Sequence, residues 1–200
     1  MADPRTPESD DGLYVGPSVL APVSPMGMGA RIARLLLIPL LVILFAVLIL
    51  FYVLFTTLKV DGASMEPSLS DGDRLLVTHG VDTLQTGDVI VFSAVSRSRG
   101  REDLIKRVIA LPGDRVSVTD GIATVNGVVE STPDPIPDPT EALKVDEFTV
   151  PDDTVFVLGD NRPVSLDSRI LGPIPQGAIT GEAVWIFAPP SHFGWIDGTR

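Results

Sequence analysis

The sequence has no cysteine and only two histidines, His79 and His192. The first absence excludes disulfides, thiolate metal sites and a cysteine nucleophile. The second leaves too few imidazoles for a histidine-based metal cluster, and the reading includes no metal or other cofactor. Basic residues are also scarce. Fifteen Lys and Arg face 26 Asp and Glu, for a formal net charge of -11. A nucleic-acid partner is not expected, because phosphate binding needs clustered cations.

Charge is missing altogether from Leu35 to Leu58, LLLIPLLVILFAVLILFYVLFTTL. About 20 apolar residues span a bilayer core, and the apolar stretch of a cleavable secretory signal is shorter, about 7–15 residues. The run reads as a retained transmembrane anchor over residues 31–58. Pro39 is tolerable in a membrane helix. Arg31 and Arg34 precede the run; Lys59 and Asp61 follow it. The positive-inside bias is two against one. It puts the N-terminus in the cytoplasm and residues 59–200 outside. Residues 1–30, rich in proline and glycine with scattered acids, read as a disordered cytoplasmic tail.

Beyond the anchor the texture is short β-type runs between turn signals. RLLVT (74–78), DVIVF (88–92), LIKRVIA (104–110), RVSV (115–118), IATV and VVE around Asn126-Gly127, TVFVLGD (154–160) and AITGEAVWIFA (178–188) are the candidates. This pattern predicts a mainly β, partly barrel-like antiparallel domain. A hairpin-and-loop subdomain is expected as an insertion over about 115–151. Within it, STPDPIPDPTEALKVDE (131–147), with four prolines, reads as an exposed loop. SRSRGRED (96–103) reads as another.

Three segments carry chemistry. In LIKRVIALPGD a lysine, Lys106, interrupts an apolar strand. Strand alternation puts it on one face with Leu104 and Val108, and Arg107 on the other with Ile105 and Ile109. Either Lys106 sits at an edge with its ammonium snorkelling into water, or desolvation holds it neutral as a general base. GASMEPSLSDGD (62–73) offers Ser64 as a nucleophile among small residues, or else a polar turn. GDNRPVSLDSR (159–169) packs Asp160, Asn161, Arg162, Ser165, Asp167, Ser168 and Arg169 behind an apolar strand. It reads as an active-site loop or an ion-paired structural turn.

Together SMEPSL (64–69), TGDVIVF (86–92), KRVIALPGD (106–114) and GDNRPVSLDSR resemble, in order and behind an anchor, the bacterial type I signal peptidases. These are membrane-bound serine proteases with a Ser-Lys dyad. The resemblance implies Ser64 as nucleophile and Lys106 as its base. It implies oxyanion donors on the backbone at Ser64 and Gly62; the side-chain hydroxyl that some members carry two residues before the nucleophile is absent, because that position is Gly62. It also implies a lysine-orienting Ser165, and supporting pairs Arg107 with Asp160 and Asp167 with Arg169. Met65, Leu69 and Ile105 match positions lining shallow substrate pockets. The implied partners are preproteins whose signal peptides end in small-x-small motifs such as A-x-A, and the lipid bilayer itself. Pro163-Val164 departs from the polar pair common in the last signature, which implies altered loop stiffness.

Other readings remain. Soluble self-cleaving repressor relatives share the chemistry but lack an anchor. A maturase dedicated to one substrate, or a tethered non-catalytic domain, would share the scaffold. A Ser-His enzyme using His79 would be exposed by a His79→Ala variant.

Overall fold

A computed structural model describes residues 27–80, 83–96, 100–131, 136–138, 143–196 and 198. The expected N-terminal tail lies outside these, apart from its last four residues. The chain divides within its first helix into one unit ending at Phe45 and a second, Ala46–Arg200.

Helix α1 runs Met28–Leu54 and keeps Pro39 inside. From Ile32 onward its side chains are exposed, and Ile32–Leu54 is long and apolar enough to cross a membrane. Such a helix satisfies its own backbone groups, which hydrocarbon requires. The expected anchor is too long at its C-terminal end. Phe55–Lys59 leaves the helix as strand β1, and pairs antiparallel with β2, Arg74–Thr78, from Phe55↔Thr78 to Lys59↔Arg74. Thr56 and Thr57 are β-branched and suit a strand, and Leu58 packs on the core.

The second unit is mostly antiparallel β. The remaining strands are β3 (Val89–Ser96), β4 (Gly100–Ala110), β5 (Arg115–Thr119), β6 (Ile122–Val125), β7 (Val128–Val129), β8 (Val145–Thr149), β9 (Thr154–Leu158), β10 (Ile174–Pro175), β11 (Ile179–Ala188) and β12 (Gly194–Trp195). One sheet has the order β1-β2-β11-β3-β4-β9-β10, with β12 added beside β11. A second, β7-β6-β5-β8, lies wholly within residues 115–149. Its hairpins turn at Asp120-Gly121 and Asn126-Gly127, all four with positive φ, as tight turns of this kind require.

Two expected loops are shorter than the sequence suggests. SRSRGRED contributes to both strands of the β3–β4 hairpin, which pairs as far as Ser96↔Gly100. The end of the proline-rich segment forms β8 against β5, with Val145 opposite Val118.

Alternation along β4 sends neighbouring residues to different cores. Ile105 joins Met65, Leu69, Leu75, Val89 and Ile186 in one cluster. Leu104 and Val108 join Ile90, Phe92 and Val157 in another. Ile109 joins Val116, Phe156 and Leu158 beneath the second sheet. The middle of β4 is therefore covered on both faces, and Lys106 and Arg107 are buried, at 2% and 0% exposure.

Candidate active site

The segment after β1 is a turn-rich loop pinched at its neck. Val60 N–H donates to the Asp73 carbonyl (2.8 Å) and Gly72 N–H to the Val60 carbonyl (3.0 Å). Inside it, Leu69 N–H donates to the Met65 carbonyl at 2.9 Å. Gly62 adopts φ +93°, a conformation glycine reaches at no steric cost. Met65 and Leu69 plug the loop into the core at 1% and 0% exposure. Anchored on both sides, the loop presents Ser64.

Opposite it, Lys106 Nζ lies 2.8 Å from Ser64 Oγ and donates to the Ile105 carbonyl at 2.6 Å. Burial lowers the lysine from its ordinary 10.5 to about 8, although the negative charges of Asp167 and Asp160 pull the other way. Desolvation outweighs attraction here because the charged form loses its water.

Arg107, next along the strand, ties the surroundings together. It forms a two-pronged pair with Asp160, Nε to Oδ1 at 3.0 Å and Nη2 to Oδ2 at 2.7 Å. It also donates to the Gly87 carbonyl (2.8 Å) and to Ser68 Oγ (3.2 Å). One guanidinium thus links the base strand, the nucleophile loop and the segment after β9; its planar fork makes that possible.

That segment closes the site. Asn161 N–H donates to the Ser64 carbonyl at 3.1 Å. Asp167 caps the short helix α2, Ser168–Leu171. Its carboxylate accepts from Gly159 N–H (3.1 Å) and from Arg169 Nε (2.9 Å) and Nη2 (3.0 Å). Gly159 has no room for a side chain: a Cβ there would collide with Ser165 Oγ and the Ser64 carbonyl oxygen.

Several expectations need correction. Gly62 N–H is already committed to Asp71 Oδ1 at 2.9 Å, so it is not an open oxyanion donor. Ser64 N–H, by contrast, meets no protein acceptor among the described residues. Met65 and Leu69 are closed core side chains rather than walls of an open pocket, and Ile105 is 8% exposed. Ser165 is buried, but its Oγ makes no hydrogen bond among the described residues, so the expected bond to Lys106 is not among the contacts. Neither histidine is hydrogen-bonded to Ser64 among the described residues. His79 is exposed after β2, and His192 Nδ1 is 3.0 Å from Asp73 Oδ1.

Ser68, Glu130 and Asp138 make contacts around the site that no sequence motif marks. Glu130 ends the expected strand VVE and Asp138 lies in the segment expected as an exposed loop, yet Asp138 is 2% exposed and pairs with Arg169 at 3.1 Å. The only available signal was the presence of two arginines, Arg162 and Arg169, in one short polar loop, which demands buried acids from elsewhere. Among the described residues no group of acids and histidines could hold a metal ion.

Comparison with known proteins gives one answer. The family model described as signal peptidase, peptidase S26, matches residues 32–188. A probable signal peptidase I-1 of Synechocystis sp. is 38% identical over 141 residues, covering 66% of this chain and 71% of its own length. A signal peptidase I of Bacillus caldolyticus is 34% identical over 158 residues, covering 70% and 84%. Among solved structures, a signal peptidase I from Enterococcus faecalis V583 is 30% identical and covers 52% of this chain and 98% of its own, at a TM-score of 0.41.

Proposed function

The chain belongs to the signal peptidase family of serine peptidases, S26, and from that membership we propose that it cleaves signal peptides after small-x-small motifs, with Ser64 as nucleophile and Lys106 as general base. The observation that carries the reading is the 2.8 Å contact between Lys106 Nζ and Ser64 Oγ inside a buried site.

Neutral Lys106 takes the Ser64 hydroxyl proton as Oγ attacks the scissile carbonyl. The Ser64 backbone N–H donates to the oxyanion that forms. The lysine ammonium then returns the proton to the leaving amine as the C–N bond breaks, leaving an acyl-enzyme and a freed C-terminal fragment. Water, deprotonated by the same lysine, attacks the ester carbon; the bond to Oγ breaks, Lys106 returns the proton to Ser64 Oγ, and the signal peptide leaves with a free carboxylate. Only the neutral fraction of the lysine can act as the base. Lowering a lysine from 10.5 to about 8 raises its neutral fraction at pH 7 by roughly 300-fold. Ser165 Oγ, buried and without a hydrogen bond among the described residues, is the group we assign to orient Nζ during the reaction.

Helix α1 anchors the enzyme, and Arg31 and Arg34 against Lys59 favour a cytoplasmic N-terminus.

The test compares wild type with Lys106→Met in detergent, on a peptide whose signal ends in A-x-A. Methionine keeps the apolar stem but accepts no proton. Wild type should cleave after the second alanine, and the folded variant should lose activity by about 10³-fold or more. An undiminished variant rate would sink the Ser-Lys assignment.

A further inference from the structure

A second group of buried charges joins the small sheet to the loop after β9. Arg162 is fully buried. Its guanidinium meets the Glu130 carboxylate with both Nη atoms, at 2.6 and 2.8 Å, and also donates to the Gly121 carbonyl at the β5–β6 turn. Its Nε donates to the Gly159 carbonyl at 2.8 Å. Glu130 is itself held at the end of its hairpin, where Oε1 accepts from Ala123 N–H at 2.8 Å.

Two further links run in parallel. Ile136 N–H donates to the Asp160 carbonyl (2.9 Å) and Arg162 N–H to the Ile136 carbonyl (3.3 Å), a parallel bridge across to Asn161. Asp138 accepts from Arg169, which donates at 2.5 Å to the Arg162 carbonyl and grips Asp167. Two of the partners in this group reach Gly159 itself: Arg162 donates to its carbonyl and Asp167 accepts from its N–H. Gly159 is also where Ser64 and Ser165 touch the loop too closely for any Cβ.

We propose that Glu130 is a positioning residue for the Ser64–Lys106 pair: through Arg162 and the Gly159 carbonyl it fixes the surface against which the nucleophile's peptide and Ser165 are seated. The small sheet is then part of the machinery that aligns the reaction. A purely structural ion pair could be exchanged for apolar side chains with little loss. A positioning pair could not, because displacement by about 1 Å near reacting atoms costs on the order of 100-fold in rate. The inference rests on the Ser-Lys reading above.

The distinguishing variant is Glu130→Met/Arg162→Met in the full-length protein in detergent, which removes both buried charges at once and so leaves neither unpaired. With a thermal midpoint near that of wild type, it should lose about 10- to 100-fold in kcat with KM little changed, and Glu130→Asp should recover part of the loss. Should the double variant not fold, Glu130→Gln is read in the same way. A folded variant with wild-type kcat overturns the proposal. A second readout needs no substrate: the titration of Lys106, followed through its 13Cε NMR shift. If wild type leaves A-x-A peptides uncut, the proposed function falls. The titration still decides this inference: displacement in the double variant supports it and an unchanged curve overturns it.

Discussion

Asn161 donates its backbone N–H to the carbonyl oxygen of Ser64 at 3.1 Å. The loop that carries Ser165 is therefore bonded to the nucleophile's own residue, and the two cannot move independently. Gly159 lies two residues earlier in the same contact. Gly159→Ala would drive a methyl group into Ser165 Oγ and the Ser64 carbonyl. Overpacking of this kind costs about 1–3 kcal/mol, and the strain falls on the reacting residue. The variant should fold with a lowered urea midpoint and cleave at least about 100-fold more slowly. Wild-type cleavage by Gly159→Ala would show that this close approach is dispensable.

Activity should follow the charge on Lys106. The lysine titrates at about 8 because burial penalises its ammonium form. Below that pH the fraction of neutral base falls about tenfold per unit. The kcat/KM of peptide cleavage should therefore rise with slope one up to about pH 8 and level off above it. A profile flat from pH 6 to 8 would contradict a lysine base.

Arg107→Lys keeps the positive charge and loses the fork. A lysine reaching Asp160 cannot also reach Gly87 and Ser68, which Arg107 bonds at 2.8 and 3.2 Å. The variant should be less stable by about 2 kcal/mol, the scale of hydrogen bonds to charged groups. Chemical denaturation checks this, and an unchanged unfolding midpoint would show that charge alone is what the site needs.

His79 is exposed and has no hydrogen bond to Ser64 among the described residues. His79→Ala should leave kcat/KM within about a factor of two, the range of ordinary surface substitutions. A collapse of activity would revive a Ser-His mechanism.

The strands were legible wherever β-branched runs were bounded by glycine turns. RLLVT and IATV occupy the residues that their patterns mark. The failures have physical causes. Phe55–Leu58 is continuous in hydropathy with the helix before it, and only pairing with β2 makes it a strand. Val145–Thr149 follows a proline-rich acidic stretch, so β5 had to be known before β8 could be seen. The burial of Glu130 and Asp138 depends on arginines 32 and 31 positions away along the chain, separations that local patterns do not carry. Local pattern likewise says nothing of Gly62 N–H, because its partner Asp71 reaches it only through the folding of the loop.

The buried lysine also gives the molecule an unusual proton inventory. Folded, Lys106 titrates at about 8; released into water it returns to 10.5. Below pH 8 both states hold the proton, and folding carries the whole cost of hiding a cation, about 3 kcal/mol. Between the two values unfolding absorbs a proton from solution, so stability climbs with pH. Above 10.5 neither state is charged and the cost is gone. For this one group mild alkali is a stabiliser. Calorimetric unfolding at pH 9 should show an enthalpy that depends on the heat of ionisation of the buffer, with close to one proton taken up in wild type and none at this site in Lys106→Met.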